Sequence, residues 1–297
     1  MSKNLGLATA LLAYVLWGLA PIYWKQISHI DSSQIVAHRM VWSFVFSVII
    51  VVIFSQWSEF LRLMKDRKLR RTLFYGSVLM ALNWGIFIWA VNANHMVEVS
   101  MGYFINPLFT VLMGVIFFKE SLRPMQIFAL CVVVAGVSYL VFKHGYLPWI
   151  ALTLAISFAL YGVLKKSVTI PATISMAIEM GFFVIPALLF LLYGEFQQAG
   201  TSGFGVNTAD NLWLIFCGLM TLTPLILFAS AAKVISLTAL GMSQYIGPTL
   251  HLCAAIFLYH EPFDQSQFVS FSLIWLALII YTIDQLYHRR HKAIVTA

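Results

Sequence analysis

The chain has 297 residues, of which 61% are hydrophobic and only 10% charged, with mean hydropathy +0.88. A soluble domain carries about 25% charged residues because its surface faces water, whereas each membrane-spanning helix uses about 20 apolar residues. The composition excludes a soluble enzyme, a disordered tail and a nucleic-acid module resting on a basic domain. It fits a polytopic membrane protein.

In chain order, apolar stretches divided by short polar breaks predict ten helices. They lie at 4–24, 35–55, 72–92, 98–118, 124–142, 147–164, 173–193, 211–230, 238–258 and 266–286. Lys3 precedes a run too long for a signal-peptide core, so the first helix is expected to stay in the membrane. The longest connections are a basic segment at 56–71 and a Gly/Ser/Thr-rich stretch at 194–210, neither long enough for another domain. Barrel strands are excluded, because the runs are too long and do not alternate. Cys131, Cys217 and Cys253 sit inside apolar runs without metal-ligand spacing and read as small buried hydrophobes.

An even number of spans puts both termini on one side. That side collects Lys3, Arg62, Lys65, Arg67, Lys68, Arg70, Arg71, Lys119, Arg123, Lys165, Lys166, Lys233, Arg289, Arg290 and Lys292, fifteen of the 18 Lys and Arg. The other side keeps Lys25, Arg39 and Lys143. Loops rich in Lys and Arg stay in the cytoplasm, so both termini are predicted cytoplasmic. The basic clusters read as topology signals, with lipid headgroup contact a minor addition at 62–71.

The fourth and ninth spans resemble each other at a separation of 141 residues. Met101/Met242, Ile105/Ile246, Pro107/Pro248 and Glu120/Glu261 align without a gap. Leu16-Trp17-Gly18 matches Leu160-Tyr161-Gly162, and Ala37/Ala177 and Met40/Met180 align at 140. Five spans per half is an odd number, so the second copy enters the membrane from the opposite side. The expectation is an all-α fold of ten helices in two inverted-topology repeats, residues 1–143 and 144–297. Such repeats are characteristic of secondary transporters.

Charges within a span cost several kcal/mol and mark candidate function. Arg39, beside His38, lies near the outer end of span two. Glu179 lies near the inner end of span seven, at the equivalent position of the repeat. Arg39 is the candidate to hold an anionic group such as a carboxylate, and Glu179 to take an amine or a coupling proton. Snorkelling, or pairing with Glu98, stays open for Arg39, and a hydrogen bond inside the bundle for Glu179.

On span four, Glu98, Gly102 and Asn106 share one face, and their counterparts in the repeat on span nine, Ala239, Ser243 and Gly247, form a small-residue stripe suited to close helix approach. With Pro107 and Pro248 behind them, these spans read as cavity walls, packing kinks being the competing view. Asn83, Trp84, Gln244 and His251 add hydrogen-bonding groups, although a lone interior histidine is ordinarily structural. Trp17, Tyr103 and Tyr161 are candidates for an aromatic cavity. Tyr23 and Trp24 fit an aromatic belt at the outer interface. No nucleotide loop, catalytic triad motif or metal-ligand spacing is present in the sequence, so neither cofactor nor metal is expected.

The ten-span duplicated layout, with TrpGly in span one, HisArgMetValTrpSer at 38–43, AsnTrp at 83–84, PheIleTrpAlaValAsn at 87–92, GlyTyrPheIleAsnPro at 102–107 and GlnTyrIleGlyProThr at 244–249, resembles the RarD branch of the drug/metabolite transporter superfamily, whose halves are EamA-type domains. The resemblance implies a bacterial inner-membrane permease, with four spans of each half around a central path and the fifth peripheral. Relatives in the superfamily export amino acids and other metabolites, usually as carriers. Glu120 and Glu261 occupy the place of an acid that commonly ends the fourth span of each half; the usual Gly before it is replaced here by Lys119 and His260.

The expected partners are a small-molecule substrate and the bilayer, with no nucleic acid. Proton coupling and a homodimer stay open. A passive facilitator is the alternative function, and an intramembrane lipid enzyme finds no nucleophile–base pair to support it.

Overall fold

The computed structural model describes residues 1–93, 95–144, 149–197, 204–205, 207–258 and 265–295. Among these the secondary structure is helical throughout: α1 (Lys3–Trp24), α2 (Ser32–Ile53), α3 (Trp57–Met64), α4 (Arg67–Asn92), α5 (Met96–Phe118), α6 (Pro124–His144), α7 (Trp149–Ser167), α8 (Ala172–Gln197), α9 (Thr208–Ala232), α10 (Leu237–Gln244), α11 (Ile246–Cys253) and α12 (Gln265–Val295). Nine helices of the described residues are long and apolar enough to cross a membrane.

The expected ninth span, 238–258, is not one continuous helix. It runs as α10, α11 and a π-helical turn at Ala254–Leu258. Pro248 explains the first interruption, because without an N–H it leaves the Gln244 carbonyl with no donor one turn back. Pro107 does not break α5. There the Tyr245 hydroxyl donates to the Phe104 carbonyl across the α5–α10 contact, at 3.1 Å. The close crossing needs glycine: a Cβ on Gly241 would stand 2.8 Å from the Pro107 carbonyl oxygen.

The basic connection at 56–71 also differs from expectation, since it folds into α3 and the start of α4. Ser55, at φ 55°, takes the left-handed conformation after α2. Gln56 N–H then bonds Val51 C=O at 2.8 Å and Ser55 N–H bonds Val52 C=O at 2.9 Å, satisfying the last carbonyls of α2 and turning the chain sharply. Phe60, Leu63 and Met64 of α3 pack on Val51, Leu73 and Ile178 of the bundle.

The helices pack in a recurring pattern. α5 lies on α7 and α1 on α11; α4 on α7 and α1 on α9; α2 on α9 and α4 on α8. α2 also packs on α8, α5 on α10, and α6 on α12. Exchanging the first five expected spans for the last five maps this set of pairs onto itself. α6 and α12 pack mainly on each other, tied by the Arg123–Asp284 ion pair. Of the three cysteines only Cys217 is fully buried; Cys131 is exposed on the outside of α6, an apolar surface in a bilayer.

Candidate functional site

Two charged centres lie in the bundle at opposite depths. The first is Arg39, on α2, whose Nε–H donates to Thr221 Oγ1 on α9 at 2.9 Å. Its guanidinium carbon sits 4.8 Å from the Trp24 ring centroid and 5.1 Å from that of Trp84. Cation–π attraction to two indoles replaces part of the hydration that the guanidinium loses. The side chain thus turns into the bundle instead of reaching out to headgroups. It does not pair with Glu98, and no carboxylate among the described residues lies within ion-pairing distance of it.

Tyr103 on α5 keeps 41% of its surface exposed. Its ring meets His251 of α11 edge-on at 5.5 Å, and His251 Nε2 lies 3.0 Å from the Trp17 carbonyl oxygen. Trp84 is buried and its neighbour Asn83 bridges to α7, donating to Leu154 C=O and Ser157 Oγ, both at 2.9 Å.

The second centre is Glu179 on α8. Lys165 forms an ion pair with Glu179 Oε1 and donates to Ser175 Oγ at 2.7 Å. The Tyr161 hydroxyl donates to Glu179 Oε2 at 3.0 Å. Ser175 Oγ lies 3.3 Å from Oε1, and Ser77 Oγ of α4 donates to the Glu179 carbonyl at 3.2 Å. Lys165 is 1% exposed and Glu179 2%. Tyr161, expected on a cavity wall, is fully buried here as a donor to the carboxylate.

Lys165 was expected to mark a cytoplasmic loop. The structure corrects this by placing its ammonium inside the bundle, because Glu179 and Ser175 compensate its lost hydration. The missed signal is spacing: Tyr161/Lys165 and Ser175/Glu179 are both four apart, so each pair lies on one helix face. Two further lysines cap the same end. Lys166 donates to the carbonyls of Ala232 and Ile235, and Lys233 to that of Ile170. Burial, with Lys165 nearby, lowers the Lys233 amine to about 8.

A line of contacts leads toward Glu179 from Tyr103 through His251 and Trp17 to Phe228, whose ring centroid is 5.9 Å from that of Trp17. Phe228 stacks on Tyr161 at 6.1 Å, and Tyr161 reaches Glu179.

The remaining candidates lie off this line. His38 stacks on Phe204 at 5.6 Å. Glu98 meets His95 Nδ1 at 3.2 Å through Oε1, while its buried Oε2 has no hydrogen-bond partner among the described residues. Asn106 Oδ1 is likewise unpartnered, and Gln244 Oε1 accepts from Thr110 at 3.1 Å. Glu120 is a helix cap: its carboxylate accepts from Leu237 N–H at 2.7 Å, Thr238 N–H at 2.9 Å and Thr238 Oγ1 at 2.8 Å at the start of α10. Glu261 and His260 lie outside the described residues.

The sequence matches the model of the EamA-like transporter family twice, over residues 4–142 and 147–283. It is 40% identical to the uncharacterized transporter YojE of Bacillus subtilis over 290 residues, covering 96% of each chain. Protein RarD of Escherichia coli is 40% identical over 289 residues and 97% of each chain. The chloramphenicol-sensitive protein RarD of Pseudomonas aeruginosa is 31% identical over 283 residues, 93% of this chain and 92% of its own. A protein of known crystal structure superposes with TM-score 0.70 at 15% identity, over 94% of this chain and 97% of the other, a likeness of fold alone.

Proposed function

Because the chain belongs to the EamA-like transporter family, in its RarD branch, we propose that this membrane transporter is a secondary carrier exporting a small amino-acid-like or drug-like compound across the bacterial inner membrane. Its termini are cytoplasmic, and its two halves, 1–143 and 144–297, are inverted five-helix repeats. The exchange symmetry of the helix pairs and the double family match support that duplication.

The observation that carries the reading is Arg39. A guanidinium has five N–H donors, and only Nε–H is engaged with another described residue. With the Trp24 and Trp84 rings 4.8 and 5.1 Å from its guanidinium carbon, it offers its terminal nitrogens as a fork for a carboxylate or similar anion. Glu179 supplies the second charge. In this conformation Lys165 occupies it; a substrate amine displacing Lys165, or a proton neutralising the carboxylate, would release the inner seal.

Metabolite profiling of cells with and without the protein names candidate compounds, and uptake of those compounds into proteoliposomes tests them. Arg39→Ala is expected to cut uptake at least about tenfold, and Arg39→Lys nearly as much, because an ammonium cannot reproduce the planar fork or its stacking. Unchanged uptake in both variants would remove Arg39 from the site. Uptake by wild-type protein that ignores every imposed ion gradient would favour a passive facilitator.

A further inference from the structure

α3 and the first turns of α4 form a basic surface lined by none of the candidate site residues named above. Arg67, Lys68, Arg71, Thr72 and Tyr75 line a shallow cleft of about 370 Å³. Arg67, Lys68 and Arg71 are exposed, and none of them forms an ion pair among the described residues. Nearby charges are already committed: Arg62 to Glu59 at 3.5 Å, and Arg70 to the Met64 carbonyl at 3.1 Å. Asp66 caps the amides of Lys68 and Leu69, at 2.9 and 3.1 Å. The three cations, not the helix end, therefore give the cleft its charge.

The cleft also has an apolar continuation. Arg71, Tyr75, Val78 and Leu82 follow one another at helical spacing on one face of α4, with Tyr75 54%, Val78 43% and Leu82 46% exposed. Beside it, α3 leaves Trp57 and Leu61 exposed while its other apolar residues pack on the bundle. A helix of this kind lies in the interface plane of a bilayer. A cationic cleft at headgroup depth leading into an apolar stripe matches a phosphate that carries acyl chains.

We propose that this cleft is a binding site for one anionic phospholipid in the leaflet bordering α3, its phosphate held by Arg67, Lys68 and Arg71 and one acyl chain lying along Tyr75, Val78 and Leu82. A cluster serving only as a topology signal would contribute charge without regard to position; a built site depends on which cations are removed.

Native mass spectrometry of the purified full chain, titrated with phosphatidylglycerol and with phosphatidylcholine, tests the assignment. The wild type is expected to retain one phosphatidylglycerol in preference to phosphatidylcholine by at least about tenfold. R67A/K68A/R71A should lose up to about a hundredfold in phosphatidylglycerol affinity, at roughly fivefold per cation. R62A/K65A/K119A removes the same charge from the same side outside the cleft and should bind within about twofold of wild type. T72E, which keeps every cation and thus the topology signal, should weaken binding by at least about fivefold. Equal affinity for both lipids, or equal losses in the two triple variants, would overturn the site. Displacement of the lipid by millimolar inorganic phosphate would reassign the cleft to free phosphate.

Discussion

Lys165 and Glu179 pose the sharpest energetic question at the residue scale. Two charges at 1% and 2% exposure hold each other in place through Coulomb attraction and the hydrogen bonds of Ser175 and Tyr161. Removing one partner leaves the other buried and uncompensated, at a cost of about 3–5 kcal/mol. Lys165→Met should therefore lower the thermal midpoint in detergent far more than the double variant Lys165→Met/Glu179→Leu, which removes both charges. If the single and double variants melt together, the pair contributes nothing specific. The sequence exposed half of this centre: a glutamate within an apolar run is conspicuous, whereas a lysine two residues from a helix end looks like an ordinary loop charge. Arg39 was legible for the same reason as Glu179, but its partners were not. Thr221 lies 182 positions away on α9, and Trp24 has the sequence context of an interface aromatic.

At the scale of elements, hydropathy marked nearly every helix, because burial in a bilayer demands long apolar runs whatever their packing. What it missed were features set by local backbone chemistry. α3 was hidden in a polar connection, as its eight residues are too short to register as a span. The division of the ninth span depends on one missing N–H at Pro248, and its first turn is capped by Glu120 from beyond the end of α5.

The departure at Lys119 now has a physical meaning. Its φ of 51° is left-handed, the conformation that makes glycine the usual residue at a helix C-terminus. A side chain there costs about 1–2 kcal/mol, partly offset by the greater freedom glycine has when unfolded. Lys119→Gly should accordingly stabilise the protein by about 0.5–1 kcal/mol, read as a higher thermal midpoint. Lys119→Val, with a branched side chain forced into the same backbone, should destabilise it. A midpoint that falls with glycine would mean that the lysine side chain does more than occupy the turn.

At the scale of the whole molecule, the two charged centres differ in state. Tyr103 is 41% exposed, whereas Lys165 and Glu179 are sealed at 1% and 2%, and the rings of Trp17, Phe228 and Tyr161 lie between Tyr103 and Glu179. A carrier that exchanges the roles of two inverted halves would open the second centre as it closes the first. Contact along Tyr103–His251–Trp17–Phe228–Tyr161–Glu179 does not itself establish coupling; a shared two-state equilibrium does. The Lys165–Glu179 pair stabilises the sealed inner end, so its removal should move the population toward the conformation closed on the Arg39 side.

This expectation is measurable with Tyr103→Cys in a background where Cys131, Cys217 and Cys253 are replaced by alanine. A membrane-impermeant thiol reagent applied from the outer side reports whether position 103 is open. Adding Lys165→Met/Glu179→Leu should lower the ratio of open to closed conformations about tenfold if the pair contributes roughly 1.4 kcal/mol of differential stability between them, slowing labelling by about twofold to tenfold according to the starting ratio. Labelling unaffected by loss of the pair would mean that the two centres do not share one equilibrium, and rapid labelling of both positions 103 and 165 from opposite sides at once would describe a channel.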